Sequence, residues 1–463
     1  MKARYQTFAT LSLVALALSH PFCAQDTRTV REPVIPPACA TLSARLAPLG
    51  DSTVAAADEG KLDTERIQAA LDHCPRGRAV RLAPEGALRA FLVGPLRLKG
   101  GVTLLVDRGA IVFASRDPRL YDLPGTPGRC GTVDARGHGC KPVITAVDAA
   151  GAAVMGDGTI DGRGWAHVLG KDVSWWDLAE QARKGGSQNV PRLMHLVRAD
   201  DFTLYRITLR NSANFHVLYT GGNGFTVWGV KVWAPENARN TDGIDPQNAT
   251  NVTVTRSFIH TGDDNVAIKG AASPSRNITV AHNHFYAGHG MSIGSETNGG
   301  VSAIRVSDLS IDGADNGLRI KSNETRGGKV RDVLYQDVCI RNTKNPVYMD
   351  THYAFLKDTR GLFPDFREVT LRQVRIEGKG KLVLDGYSAD RRLGITFDGV
   401  TLDDPAAIRI RASHADVTLG PGAVNFLPAG DDVHVTGTAA AADAAPANAC
   451  QARFVPFPAP GQE

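Results

Sequence analysis

Four short stretches carry the residue types that do chemistry: Asn240-Thr241-Asp242, Gly262-Asp263-Asp264, Gly288-His289-Gly290 and Arg319-Ile320-Lys321. Between them they hold three carboxylates, an imidazole and two cations. Three carboxyls brought together cannot all ionise freely, so repulsion sets a protonated acid beside an ionised base. An imidazole can steady that proton, and a guanidinium with an ammonium can hold an anion. Taken singly each stretch is ordinary. Asn-Thr-Asp-Gly and Gly-Asp-Asp are turn sequences, Gly-His-Gly is a tight turn, and Arg319 and Lys321 alternate as a solvated strand face would. They become a site only if the fold stacks them.

A repeat supplies the stacking. β-type triplets start at Phe202, Phe225, Val252, Ile278, Ile304 and Val330, at intervals of 23, 27, 26, 26 and 26 residues. A second series starts at Gly243, Val266, Met291 and Leu318, at intervals of 23, 25 and 27. Turns rich in Gly, Asn and Asp separate them. Propeller blades run longer, at roughly 40 residues, and hairpin arrays need no such period. The length suits one coil of a parallel β-helix, which must stack because no coil buries its own inner face. The fold class is therefore all-β, a solenoid of coils of about 25 residues. Adjacent coils lie about 4.8 Å apart. Referred to the second series, Asp242 lies one residue before its strand, Asp263 and Asp264 three and two before theirs, and His289 two before. Arg319 lies within its strand and Lys321 follows directly, so all six groups share one ridge.

The elements around this ridge are sparse. Asp63 is placed to cap a helix over residues 64–74, with Ile67, Ala70, Leu71 and Cys74 on one face, covering the open N-terminal end of the solenoid. A second short helix follows Ser174, with Trp175, Trp176, Leu178 and Ala179 apolar. Residues 1–24 read as a secretory signal: Lys2 and Arg4, an apolar run from Phe8 to Leu18, then small residues. Cleavage after Ala24 removes Cys23 and leaves six cysteines, an even number suited to an oxidising compartment. Cys130 and Cys140 bracket a Gly-rich loop and pair; Cys39 with Cys74 ties down the N-terminal segment; Cys339 and Cys450 remain. No spacing resembles a zinc site. Residues 25–436 form a single catalytic domain, and 437–463 an irregular Ala- and Pro-rich tail held at Cys450. The 463 residues carry a net charge of +4, which suits an acidic polymer but is too small to argue for nucleic acid.

An acid/base centre beside carboxylate-binding cations fits cleavage of a glycosidic bond in a polymer of uronic acid. The motifs resemble the four signatures of the polygalacturonase family of glycoside hydrolases. The likeness extends to Arg239 through Pro246, Thr261 through Lys269, Gly288 through Glu296, Val173-Ser174-Trp175-Trp176 and the loop from Cys130 to Cys140. Bacterial secreted endopolygalacturonases are the members it resembles most. The resemblance implies a right-handed parallel β-helix that hydrolyses α-1,4 bonds of de-esterified pectin with inversion. It implies Asp263 as general acid, Asp242 and Asp264 as the groups that hold and deprotonate water, and His289 as support for the acid. Arg319 and Lys321 would grip galacturonate carboxylates, with Asn240, Lys269 and Tyr353 at subsites; Tyr348 competes with Tyr353. No cofactor, metal, nucleic acid or membrane is called for, and a secreted monomer acting on pectin is expected. Rival readings are an exo-acting or rhamnogalacturonan hydrolase of the same family, a calcium-dependent pectate lyase using the aspartates as ligands, and a non-catalytic β-helix adhesin.

Overall fold

β-Branched and aromatic triplets between Gly, Asn and Asp turns fold into coils that pair in parallel with the coils before and after. The structure, a computed structural model, describes residues 25–353, 359–440 and 449–458. The expected leader 1–24, with Cys23, lies outside the described residues. Thirty-one strands join in one hydrogen-bonded network. A representative coil contains three strands, Ile244–Gln247, Thr250–Thr255 and Phe258–Thr261. Stacking such coils gives three sheets, named first, second and third in that order, around a core of Val, Ile, Leu and Phe. The protein is a parallel β-helix.

Register follows the repeat closely, with two corrections. Phe202 pairs with Phe225, Phe225 with Val252, Val252 with Ile278 and Ile278 with Ile304. Ile304 then pairs with Val333, while Val330 pairs with Val301. Strands Val301–Asp312 and Lys329–Arg341 are long, so apolar residues ahead of the true partner imitate it. In the other series Ile244, not Gly243, is level with Val266; Val266 is level with Met291, and Met291 with Leu318. Gly243 is a corner residue instead, packed so tightly that a Cβ there would lie 2.4 Å from the Asn265 carbonyl oxygen.

Helix α1, Thr64–His73, caps the N-terminal end and buries Ile67 and Leu71. Asp63 precedes it but does not cap it with its side chain. That carboxylate instead accepts from Leu92 N at 3.0 Å and from Arg66 Nε at 2.6 Å, joining the helix to the first coil. Helix α2, Trp175–Arg183, begins with a capping box in which Ser174 and Asp177 exchange hydrogen bonds. All three cysteine pairs are present: Cys39–Cys74, Cys130–Cys140 and Cys339–Cys450.

Both ends of the described chain return to the outside of the middle coils. Asp26 N donates to Thr279 Oγ1 and Thr253 Oγ1 donates to Asp26 Oδ2, while Tyr205 Oη donates to Glu32. The described C-terminal segment does not hang loose. Arg453 bonds to Asp337, Tyr286 Oη donates to Val455 O at 2.9 Å, and Phe457 packs edge-on against Tyr286. No helix among the described residues is long and apolar enough to cross a membrane.

Candidate active site

The corner leading from the third sheet into the first positions the site. Inside it, the buried Asn265 donates through Nδ2 to the carbonyls of Ile259 and Tyr286 and accepts from Gly290 N at 2.8 Å. The corner amides are thereby satisfied from within, and Asp263 and Asp264 turn outward. Gly290 has φ +71, and a Cβ on it would lie 2.2 Å from the Asn316 carbonyl oxygen. Gly290→Ala therefore displaces the His289 turn by both strain and collision. We expect it to lower thermal stability by about 1–3 kcal/mol and to reduce turnover; melting temperature and initial rate check both.

The corrected register places Asp242 two residues before its strand, in phase with Asp264 and His289 rather than one step out. Asp263 stands one position earlier. Its Oδ1 accepts from Asp264 N at 2.9 Å and lies 3.0 Å from His289 Nδ1; Asn240 Nδ2 reaches its Oδ2 at 3.4 Å. Asp264 accepts from Ser292 Oγ at 2.6 Å, Arg319 Nη1 at 3.2 Å and Lys321 Nζ at 2.7 Å. Asp242 lies 3.6 Å from Lys269 Nζ through Oδ2, while its Oδ1 is buried without a hydrogen-bond partner.

These surroundings pull the three carboxyls apart. Burial raises Asp242 well above the usual range, and the charges of Asp245 and Asp263 add to the effect. Burial also acts on Asp263, but the His289 hydrogen bond and charge, with Lys321 and Arg319, outweigh it and hold the carboxyl low. Asp264 is likewise lowered: burial opposes ionisation, and Lys321 and Arg319 overcome it. One buried carboxyl thus keeps a proton beside two that give theirs up.

Six groups expected along the ridge converge, and the remaining three take distinct places. Asn240 lies against Asp263 and accepts from Gln188 Nε2 at 2.9 Å. Lys269 is 8% exposed and bonds to Asp245 through Nζ, so it faces the carboxylates from beneath rather than lining an open subsite. Tyr353 lies with its ring 5.3 Å from both Arg319 and Lys321, and Tyr348 packs on Arg319 as well, at 5.6 Å. Arg319 and Lys321 are nearly buried on Asp264 instead of standing free in the cleft.

Sequence reasoning missed Asp245, Gln188 and Ser292. Asp245 is fully buried, pushed up to about 6 by burial, and is the direct partner of Lys269. Its alternation with the core residue Ile244 was the available signal. Gln188 belongs to strand Ser187–Asn189, which pairs with Thr132–Asp134 inside the loop that Cys130 and Cys140 close. That loop therefore buttresses Asn240.

Ligand atoms of Asp263, Asp264 and His289 lie within 4.8 Å of one another, close enough to hold a metal ion. Arg319 and Lys321 already neutralise Asp264, which makes the trio a poor host for a divalent cation. A second such group, Asp350, His352 and Asp385, lies one and two coils beyond Lys321. There His352 Nδ1 bonds to Asp385 and Tyr348 Oη to Asp350.

The family described as Glycosyl hydrolases family 28 matches residues 126–417. An endo-polygalacturonase of Pectobacterium parmentieri is 42% identical over 405 residues, covering 87% of this chain and 96% of its own. A polygalacturonase of Ralstonia solanacearum is 38% identical over 524 residues, covering 97% of this chain and 98% of its own. Among solved structures, a polygalacturonase from Erwinia carotovora ssp. carotovora is similar, with a TM-score of 0.73 and 38% identity. It covers 90% of this chain and 98% of its own.

Proposed function

This chain belongs to glycosyl hydrolases family 28, and on that footing we propose that it is an endo-polygalacturonase cleaving α-1,4 bonds of de-esterified pectin. The observation that carries the mechanism is the group of three carboxyls on one corner of adjacent coils, driven to opposite ionisation. Asp263 protonates the leaving glycosidic oxygen. Asp242 and Asp264 hold the attacking water, and the carboxylate that is ionised takes its proton, giving inversion.

At rest the His289 hydrogen bond and the flanking cations favour a carboxylate at Asp263. A galacturonate carboxylate bound beside Arg319 and Lys321 shares their charge and relieves that hold. Asp263 can then hold the proton that the leaving oxygen needs. At Asp242 the Lys269 ammonium only partly offsets burial, so Asp264, held ionised by Lys321 and Arg319, is the carboxylate that accepts a proton from water. Residues 25–436 act as one catalytic unit, and the chain works outside the cell as a monomer.

The test is polygalacturonate with excess EDTA, following reducing ends and the ultraviolet absorbance of unsaturated uronides. Reducing ends without absorbance are expected, with an early fall in viscosity and a β-anomeric first product by NMR. An unsaturated product, or loss of cleavage in EDTA, makes the aspartates metal ligands of a lyase and overturns the mechanism. Release of monomer alone overturns endo action.

A further inference from the structure

A groove of about 850 Å3 runs along the outer face of the third sheet, away from the catalytic corner. That is within the roughly 300–1,000 Å3 usual for ligand sites. Its floor is a single register row, Ile111, Thr159, Thr208 and Lys231, each paired with the next in parallel. None of the catalytic carboxyls lines it.

Aromatic faces form the walls. Trp165 is 42% exposed, an unusual position for an indole with no covering element. Trp176 is fixed by its Nε1 donating to Ser212 O at 2.9 Å, and Trp233 is stacked on His260 with ring centroids 6.0 Å apart. Phe457, brought there by the returning C-terminal segment, closes one side. Rings held in place in this way offer flat apolar surface at little cost in order.

The polar groups select for an anion. Lys231 has no carboxylate partner among the described residues. Arg210 spends Nε on Asp161, while its Nη2 is buried without a partner. Asn211, 6% exposed, leaves Oδ1 without a partner among the described residues, an acceptor for a sugar hydroxyl rather than for the uronate group. The acids at the groove are already engaged, Asp51 by Arg89 at 2.8 Å and Asp157 by Arg206 at 2.6 Å. Fixed aromatic faces suit the C–H faces of pyranose rings, and a spare ammonium suits a uronate.

We propose that this groove is a second, non-catalytic saccharide site that binds a segment of uronate polymer. The identity of the ligand rests on the polygalacturonate reading above; the existence of the site does not. Occupying it anchors the enzyme on a polymer while the catalytic corner acts on another stretch.

The experiment is calorimetric titration of the Asp263→Asn variant with a short galacturonate oligomer, beside wild-type assays on the same oligomer and on polymer. Two sites are expected. Adding Trp165→Ala or Lys231→Ala should weaken one of them by about tenfold or more, with added salt weakening it further. In the wild-type background the same substitutions should leave oligomer hydrolysis unchanged and raise the apparent KM on polymer. Both side chains reach the surface, so the fold is expected to survive, and intrinsic fluorescence checks it. A single site untouched by either substitution, or equal binding of a neutral galactose oligomer, overturns the proposal. If the wild type fails to cleave polygalacturonate while the second site persists, the activity reading falls and the groove stands.

Discussion

Asp263→Asn is expected to lower turnover on polygalacturonate by roughly 10²- to 10⁴-fold, the span usual for losing a general acid or base, with KM little changed. The amide keeps the shape of the carboxyl and can still accept from Asp264 N and from His289, bonds that measure 2.9 and 3.0 Å in the native protein. The fold should therefore survive, and the loss should reside in kcat. His289→Ala should cost less, since it removes the 3.0 Å contact that orients the acid and leaves the acid itself. Steady-state kinetics on both variants decide it. A kcat for Asp263→Asn within a few-fold of the wild type would remove Asp263 from the mechanism.

Asp264→Asn should behave differently, because this carboxylate also holds up the structure. Arg319 and Lys321, each with a side chain 7% exposed, pair with it. Removing one partner of a buried ion pair leaves an uncompensated charge, at a cost of about 3–5 kcal/mol. Urea unfolding at pH 7 should show that loss, and Asp264→Asn with Lys321→Met should recover part of it. An unchanged unfolding midpoint would mean that water already solvates the two cations. The pH dependence of stability has two regimes with opposite signs. Asp245 is raised to about 6, so between about pH 4 and 6 the folded chain binds more protons than the unfolded one. Its contribution thus favours the fold as pH falls through that window. Asp263 and Asp264 are lowered; their contribution is present above the unfolded value near 3.9 and is lost as pH falls towards the folded values. Unfolding free energy measured from pH 7 to 3 should rise and then drop. Asp245→Asn should reduce the rise to the share that Asp242 contributes and leave the drop in place.

The solenoid was legible because its signal is a period, and a period survives errors in any one coil. Register was legible only where short triplets recur. It slipped at Gly243, where a close-packed corner residue was read as strand, and at Val330, where a long strand offered two plausible starts. The four motifs located the six groups of the ridge, since types and order were enough. What the spacing could not show was which charges satisfy which. Lys269, which the resemblance puts at a subsite, lies under Asp242 and Asp245. Arg319 and Lys321, expected to grip galacturonate carboxylates, also hold Asp264. Side-chain partners within a stacked ridge depend on which face of each strand is filled, and a one-residue error in register inverts that answer. The groove on the third sheet was invisible for another reason: its row repeats no motif.

The N-terminal strap has a consequence for how the chain is built. Asp26 finds Thr279 across a sequence separation of 253 residues, and Thr27 finds Asn251 across 224. Asp26 and Thr27 therefore have no such partners to dock on until the coils near residues 251 and 279 exist. Local coil-on-coil contacts form early in such an array, and contacts this remote in sequence form late. The segment that begins the described chain is thus among the last to settle, a clasp fastened over a nearly finished body.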